Sequence, residues 1–195
     1  MKGFKIKEDK IIINRELTEL DMFVKNFLEI IKDYTNYLIV SGFVSISTGR
    51  VRGTEDIDML LPLLDKEKFL ELFKELNEKG YWCYQTESEE EAYEYLENLH
   101  SLRFAKKNEM FPNMEVIPVT EKRKAKYFEL THPQIIKIQD FEFHIPWIEF
   151  EITYKEKVLK GKKDLEDAQH LRSFFSDILK QERFEQSEEA IKDAI

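Results

Sequence analysis

The hydrophobic residues of the chain follow two spacings, one typical of helices and one typical of strands. Apolar side chains three or four positions apart predict amphipathic helices over residues 16–33, between Asp65 and Gly80, and over residues 147–178 with a break at Gly161. The side chains expected to face inward from the last of these helices are Leu165, Ala168, Phe175 and Ile178.

Short apolar runs bounded by polar and turn-forming residues predict strands. These runs lie at residues 10–13, 37–40, 81–85, 102–105 and 113–119, in the segment that contains Asp56 and Asp58, and in a hairpin over residues 135–145. A short helix is expected from about Phe43 to Gly49. The acidic run over residues 87–97 is expected to form an exposed helix or loop.

This alternation predicts an α+β fold, in which helices flank a mixed sheet and a small helical part follows. With 195 residues, the chain is long enough for one domain with a substantial core. The pattern changes after residue 125. We therefore expect a core over residues 1–125 and a hairpin with helices over residues 126–195, packed together as one unit.

The composition indicates a folded protein and argues against disulfide-bonded, zinc-binding and membrane-spanning classes. A hydrophobic content of 42% with 15 Phe is typical of a folded chain. One cysteine, Cys83, allows no disulfide within the chain, and the four histidines lack zinc-binding spacing, so we expect them to pack or to face water. The first residues lack the apolar core of a signal peptide, and no run approaches the ~20 apolar residues of a membrane span. A cytoplasmic protein without a membrane partner is predicted.

Asp56 and Asp58 stand two residues apart in an apolar strand, so both side chains project to the same face. Two ionised carboxylates repel each other unless a cation lies near them. Carboxylate oxygens suit Mg²⁺, and Glu115, within another apolar strand, is the candidate for a third ligand. Alternatively, the aspartates serve another cation or an interface, and Glu115 is an edge-strand charge.

A Ser41-Gly42 pair ends the strand before these acids and precedes the predicted short helix. A small-residue turn at that place lets main-chain N–H groups approach phosphate oxygens. Between the turn and the acids, Arg52 is expected either to touch phosphate or to pair with an acid, and Thr54 is expected to orient the loop through hydrogen bonds.

The formal charge of −9 means that a polyanionic substrate must be met by a local basic patch or by bound metal. Five lysines between Lys155 and Lys163, opposed there only by Glu156, are a candidate for that patch, although a solvated helix face has the same pattern. Asp164 and Asp167 follow directly, and their ordinary interpretation is as charges favoured at a helix N-terminus.

These motifs resemble those of the nucleotidyltransferase superfamily related to DNA polymerase beta. Its signature is a small-residue turn followed some ten residues later by Asp-x-Asp, and "VSGFVSISTGRVRGTEDIDMLL" (Val40–Leu61) is similar to it. The order Arg-x-Thr-x-Asp-Ile-Asp is especially similar to the stand-alone group that includes AbiEii-type toxins of abortive-infection systems. The segment "YKEKVLKGKKDLEDAQHL" (Tyr154–Leu171) resembles the downstream helix pair of that group.

The resemblance implies a nucleotidyltransferase-type sheet, two Mg²⁺ ions (Mn²⁺ as an alternative) and transfer of a nucleoside monophosphate from an NTP such as ATP, with loss of pyrophosphate. It implies that Asp56, Asp58 and Glu115 bind the metal and act in catalysis. The nucleotide-binding residues that it implies are Ser41, Gly42, Arg52, Thr54, Lys155, Asp164 and Asp167. Gly42 would lie under the phosphates and Lys155 near the triphosphate, with Asp164 or Asp167 fixing Lys155 or the second helix. Ser41 stands where the family usually has Gly, and Glu115 where it often has Asp.

Our first hypothesis is therefore a metal-dependent nucleotidyltransferase whose acceptor hydroxyl belongs to a tRNA 3′ end, a protein or a small molecule. The resemblance to the AbiEii-type group also implies a toxin–antitoxin or phage-defence setting with a cognate partner protein. The alternative is a catalytically inactive module of the same fold that binds a nucleotide or a partner protein. Pyrophosphate release distinguishes the two, because only the enzyme produces it.

Overall fold

The computed structural model describes residues 3–194, which form two β-sheets with helices packed on them. The strands are β1 (Phe4–Lys7), β2 (Lys10–Ile13), β3 (Leu38–Ile39), β4 (Asp56–Pro62), β5 (Tyr81–Cys83), β6 (Leu102–Lys106), β7 (Asn113–Val119), β8 (Pro133–Ile138) and β9 (Phe141–Pro146). The helices are α1 (Glu19–Ile31), α2 (Gly42–Ser47), α3 (Lys66–Glu78), α4 (Glu89–Glu97), α5 (Lys124–Thr131), α6 (Ile148–Tyr154), α7 (Lys162–Phe174) and α8 (Gln181–Ala190). A π-helical turn (Lys155–Leu159) extends α6, and a 3-10 turn (Lys192–Ala194) follows α8.

Within residues 3–194 the larger sheet has five strands, in the order β3-β4-β7-β6-β5. β4 and β7 run parallel, and the other neighbours are antiparallel. On one face, Phe104 of β6 packs against Phe27 of α1 and Phe73 of α3 in the hydrophobic core. Because side chains alternate along a strand, Asp58 and Glu115 point to the opposite face.

The smaller sheet has four strands among the described residues, in the order β1-β2-β8-β9. β2 pairs in parallel with β8, so residues near the N-terminus share a sheet with the hairpin over residues 133–146. The hydrophobic pattern predicts β2 and this hairpin but not their pairing, because the pattern of one strand does not indicate which strand it pairs with. The division of the chain at residue 125 stays a prediction.

Capping residues set several helix ends, and Asp65 and Gly80 bound α3 as the sequence predicted. Thr18 and Asp21 form a capping box at the start of α1, and Asp65 accepts a hydrogen bond from the main chain of Lys68 at 3.0 Å at the start of α3. Gly80, with φ +81°, follows the end of α3. The acidic run forms a helix, α4, rather than a loop.

Three elements were missed, and one residue of a predicted inward face, Leu165, was wrong, whereas Ala168 and Phe175 are buried as predicted. β1, α5 and α8 carry few buried apolar residues, so their sequences lack the spacing that marks an element. Leu165 is 47% exposed, since the inward face of α7 runs through Asp167, Ala168 and Leu171. Among residues 3–194, every helix is either too short or too polar to span a lipid bilayer.

Candidate active site

Asp56, Asp58 and Glu115, here called the carboxylate cluster, lie on adjacent strands of the larger sheet. Asp58 in β4 stands opposite Glu115 in β7, and Asp56 lies two residues before Asp58 on the same face. One carboxylate oxygen from each residue lies within 4.8 Å of the others. The parallel pairing of β4 with β7 therefore brings together three acids from distant parts of the chain.

The carboxylate cluster is electrostatically unfavourable by itself. Burial, together with the charges of Asp56 and Glu115, raises the pKa of Asp58 to about 6. The Ser41 hydroxyl and Lys126 act in the opposite direction, because both favour the ionised carboxylate. A cation among the three acids would relieve the remaining repulsion.

Arg103, which the sequence analysis did not single out, places a cation beside the carboxylate cluster. It stands opposite Glu115 in β6, and its Nη2 and Nε donate to Glu115 Oε2 at 2.7 and 3.1 Å. Its Nη2 also lies 3.9 Å from an Asp56 oxygen, and Ser101 Oγ donates to Glu115 Oε1 at 2.7 Å. The available signal was an arginine inside the apolar run "LRFAK", since a charge within a strand often pairs across it.

The Ser41-Gly42 turn lies on the other side of Asp58 from Glu115. Ser41 has φ +65° and ψ −130°, a conformation that favours glycine, and its hydroxyl hydrogen-bonds to the Asp58 side chain. The main-chain N–H of Val40 donates to Asp58 O at 3.0 Å, which ties the turn to β4. A Cβ atom on Gly42 would lie only 3.0 Å from the Arg52 guanidinium. Glycine thus lets Arg52 approach the turn.

Arg52 and Thr54 lie in the chain between the Ser41-Gly42 turn and Asp56, and hydrogen bonds hold both side chains in place. Arg52 Nη1 donates to Asp167 Oδ2 at 2.6 Å, so this arginine pairs with an acid of α7. Thr54 Oγ1 donates to the main-chain oxygen of Asp56 at 2.7 Å. The loop that leads into β4 is therefore fixed at both residues.

Lys155 lies inside the protein, among three carboxylates. Its Nζ is 3.2 Å from Glu151, 3.2 Å from Asp167 and 3.8 Å from Asp164. Although burial favours the neutral amine, Glu151 and Asp167 raise the pKa of Lys155. Burial also raises the pKa of Glu151 to about 7, while Lys155 acts in the opposite direction. Lys155 is thus a buried partner of acids.

Asp167 connects this buried group to the turn. Its two carboxylate oxygens lie 2.6 Å from Arg52, 2.8 Å from Arg50 and 3.2 Å from Lys155. The remaining lysines of the basic segment are separate from Lys155, since Lys157 pairs with Glu188 at 2.8 Å and the side chains of Lys160, Lys162 and Lys163 are exposed. The five lysines therefore do not form one patch.

A second basic segment, at the start of α5, lies near the carboxylate cluster. Lys126 Nζ donates to the buried Glu129 carboxylate at 2.9 Å and lies 4.3 Å from the centre of the Tyr154 ring. Residues 122–126, Tyr154 and Ala194 line a cavity of about 380 Å³. The run "EKRKAK" was visible in the sequence, but its position beside Asp58 depends on tertiary packing.

The histidines pack against aromatic rings, as one of the two expectations had it. The ring pairs are His100 with Tyr95, His132 with Phe128, His144 with Tyr37 and His170 with Phe174. Cys83 is buried. His100 is exposed and the other three histidines are half-buried, and none of these side chains belongs to the carboxylate cluster.

The carboxylate cluster fits a divalent cation such as Mg²⁺ or Mn²⁺. All three potential ligands are hard oxygen donors, which these ions prefer. The pKa of Asp58 is raised first by burial and then by the negative charges of Asp56 and Glu115, which a cation would offset. The residues and their electrostatics both favour metal binding here.

The chain has the fold of a solved nucleotidyltransferase structure. It is similar to a lincosamide antibiotic adenylyltransferase, LnuA, determined with lincomycin bound, with a TM-score of 0.51 and 14% sequence identity. The similarity covers 82% of this chain and 99% of that chain. No family model and no curated protein matches the sequence. The likeness confirms the predicted fold class, and the assignment to the AbiEii-type group stays a prediction.

Proposed function

We propose that this protein is a metal-dependent nucleotidyltransferase, which moves a nucleoside monophosphate from an NTP to an acceptor hydroxyl. The observation that carries the proposal is the convergence of Asp56, Asp58 and Glu115 within 4.8 Å, beside the Ser41-Gly42 turn. The adenylyltransferase that shares this fold makes ATP the first donor to test.

The carboxylate cluster would hold Mg²⁺ or Mn²⁺, and two ions are the expected number. A bound ion neutralises phosphate charge and stabilises the departing pyrophosphate. The residues of the chain position the reactants around it. Main-chain N–H groups of the Ser41-Gly42 turn would bind phosphate oxygens next to Asp58. Arg52, held against Gly42 by Asp167, would add positive charge on the same side.

Lys155 would act from within the protein rather than at the triphosphate. Its side chain is fully buried, and its Nζ lies 3.2 Å from Asp167. Asp167 in turn orients Arg52 at 2.6 Å. Lys155 would therefore balance the charge of the acid that places Arg52, as a positioning residue.

Calorimetric titration of each of the four NTPs, with and without Mg²⁺, tests this function. We expect wild-type protein to bind an NTP only with Mg²⁺, and the double variant Asp56→Asn/Asp58→Asn to lose this binding. Asp140→Asn is a matched control, because Asp140 is an exposed acid that pairs with Lys25 at 2.7 Å. Equal binding by the double variant would exclude the proposed site. Release of pyrophosphate with a labelled acceptor then demonstrates transfer.

A second candidate function is a catalytically inactive module that binds a nucleotide or a partner protein. The hydrogen bonds from Arg103 to Glu115 favour it, because a guanidinium already neutralises one acid of the carboxylate cluster. This candidate predicts NTP binding that does not require Mg²⁺ and no pyrophosphate release. The toxin–antitoxin or phage-defence setting, the partner protein and the cytoplasmic location stay predictions from the sequence.

A further inference from the structure

The groups of the proposed active site follow one another across the strands of the larger sheet. The Ser41-Gly42 turn and Arg52 lie on one side of Asp58, while Glu115 in β7, Arg103 in β6 and then β5 lie on the other. Neighbouring strands are about 4.8 Å apart, so β5 lies roughly 10 Å beyond Glu115. In phosphoryl transfer the attacking and leaving oxygens lie in line on opposite sides of phosphorus. A triphosphate at the turn therefore leaves the β6–β5 side for the acceptor.

The β5 end of this face carries aromatic and apolar side chains. Strand register places Trp82, Ala105, Asn113 and Asp56 in one row across the sheet, and directly paired residues project to the same face. Trp82 and Tyr84 stack, with ring centroids 4.7 Å apart and an angle of 23° between the rings. The stack thus lies on the same face as the carboxylate cluster.

The turn between β6 and β7 completes this surface. Met110 and Phe111 are each 52% exposed. The Tyr84 hydroxyl donates to the main-chain oxygen of Met110, and Trp82 Nε1 donates to the main-chain oxygens of Lys106 and Glu109 at 3.1 and 3.0 Å. The aromatic shelf, as we call Trp82, Tyr84, Met110 and Phe111, is therefore anchored by hydrogen bonds while its apolar surface faces outward.

The surrounding chain is basic, although the protein as a whole is acidic. Residues 102–126 contain seven Lys or Arg and three Glu, in a chain whose formal charge is −9. Arg103 lies between the aromatic shelf and Glu115, and Lys107 follows β6 at the start of the turn that carries Met110. Lys106 pairs with Tyr81 and therefore projects to the opposite face of the sheet, where its Nζ lies 3.8 Å from the centre of the Tyr81 ring. The net positive charge of residues 102–126, which include Arg103 beside the shelf and the basic start of α5 near Asp58, favours an acceptor that carries phosphates.

We propose that the aromatic shelf is the acceptor subsite, and that it stacks a base at the 3′ end of a single-stranded nucleic acid whose terminal hydroxyl reaches the carboxylate cluster. Stacking of bases on aromatic side chains beside cationic residues is the general way in which proteins bind single strands. The proposal rests on the proposed function, because the in-line argument needs a triphosphate at the Ser41-Gly42 turn.

Fluorescence anisotropy with a labelled single-stranded RNA that has a free 3′ hydroxyl tests the aromatic shelf in the full chain. We expect Met110→Ser/Phe111→Ser to weaken RNA binding about tenfold or more, with NTP binding in the presence of Mg²⁺ unchanged. Met22→Ser is a matched control, because Met22 is 40% exposed in α1 and lies away from this face. Trp82→Phe keeps an aromatic ring in the shelf and is therefore expected to retain RNA binding.

The outcomes separate this inference from the function on which it rests. NTP binding by the wild type without any RNA binding, or with RNA binding that the shelf variant leaves unchanged, would overturn the subsite and leave the nucleotidyltransferase proposal standing. Loss of NTP binding together with RNA binding in the shelf variant would also overturn it, since the aromatic shelf would then support the whole site. Absence of NTP binding in the wild type would overturn both.

Discussion

Arg103 and Glu115 stand opposite each other in β6 and β7, joined by hydrogen bonds of 2.7 and 3.1 Å to one carboxylate oxygen. The same guanidinium lies 3.9 Å from Asp56. Arg103 therefore offsets part of the negative charge of the carboxylate cluster. A divalent cation that binds there must do so beside an existing positive charge.

Removing the positive charge of Arg103 should strengthen metal binding and lower the stability of the metal-free protein. We expect Arg103→Ala to raise the affinity for Mn²⁺ about fivefold, or ~1 kcal/mol, and to lower the melting temperature without metal. Arg103→Lys keeps the charge and should change both quantities less. Calorimetry with Mn²⁺ and thermal unfolding measure them. Weaker Mn²⁺ binding by Arg103→Ala would mean that the arginine chiefly positions Glu115 as a ligand.

The carboxylate cluster was predictable because its signals are local. Asp56 and Asp58 are two apart in a strand, and Glu115 is a lone acid in an apolar run, so each was visible without knowledge of the sheet. Strand order was not visible, and it is strand order that sets Asp58 opposite Glu115 and Arg103 opposite Glu115. The sequence therefore identified the acids but not the arginine beside them.

The burial of Lys155 was not predictable for a related reason. In the sequence it is one of five neighbouring lysines, all equally suited to a solvated face. Its side chain is buried because the helix continues through a π-helical turn at Lys155–Leu159 and α7 packs Asp167 against it. Only tertiary packing makes the environment of Lys155 different from that of Lys157, which pairs at the surface with Glu188.

Ser41 should be a site of backbone strain. Both Ser41→Gly and Ser41→Ala remove the hydroxyl that contacts Asp58, but only glycine adopts φ +65° and ψ −130° easily. We therefore expect Ser41→Gly to be more stable than Ser41→Ala by about 1 kcal/mol or more, measured by urea unfolding without metal. Equal stability of the two variants would show that the backbone is unstrained at this residue.

Metal binding should depend on pH through Asp58. Its pKa is about 6 in the folded protein against an ordinary value of 3.8, so ionisation of Asp58 destabilises the metal-free fold as pH rises through about 6. A cation needs the ionised carboxylate, so its apparent affinity should fall about tenfold per pH unit below pH ~6 and level off above pH ~7. Calorimetry with Mn²⁺ across this range measures the profile. A flat profile down to pH ~5 would contradict the raised pKa.

Lys155→Met should leave Glu151 as a buried acid without the cation that lies 3.2 Å from it in the wild type, whereas Asp167 keeps its pairs with Arg50 and Arg52. We expect a loss of about 3–5 kcal/mol in the free energy of unfolding, against less than about 0.5 kcal/mol for the exposed control Lys157→Met. The pKa of Glu151 is about 7 and would rise further without Lys155. At low pH Glu151 is protonated in the folded variant, so the cost of burying its unpaired negative charge disappears. The deficit relative to wild type should therefore be larger at pH ~8 than at pH ~6. Urea unfolding of all three proteins at both pH values measures it, and a deficit that is equal at the two would show that Glu151 does not share the charge of Lys155.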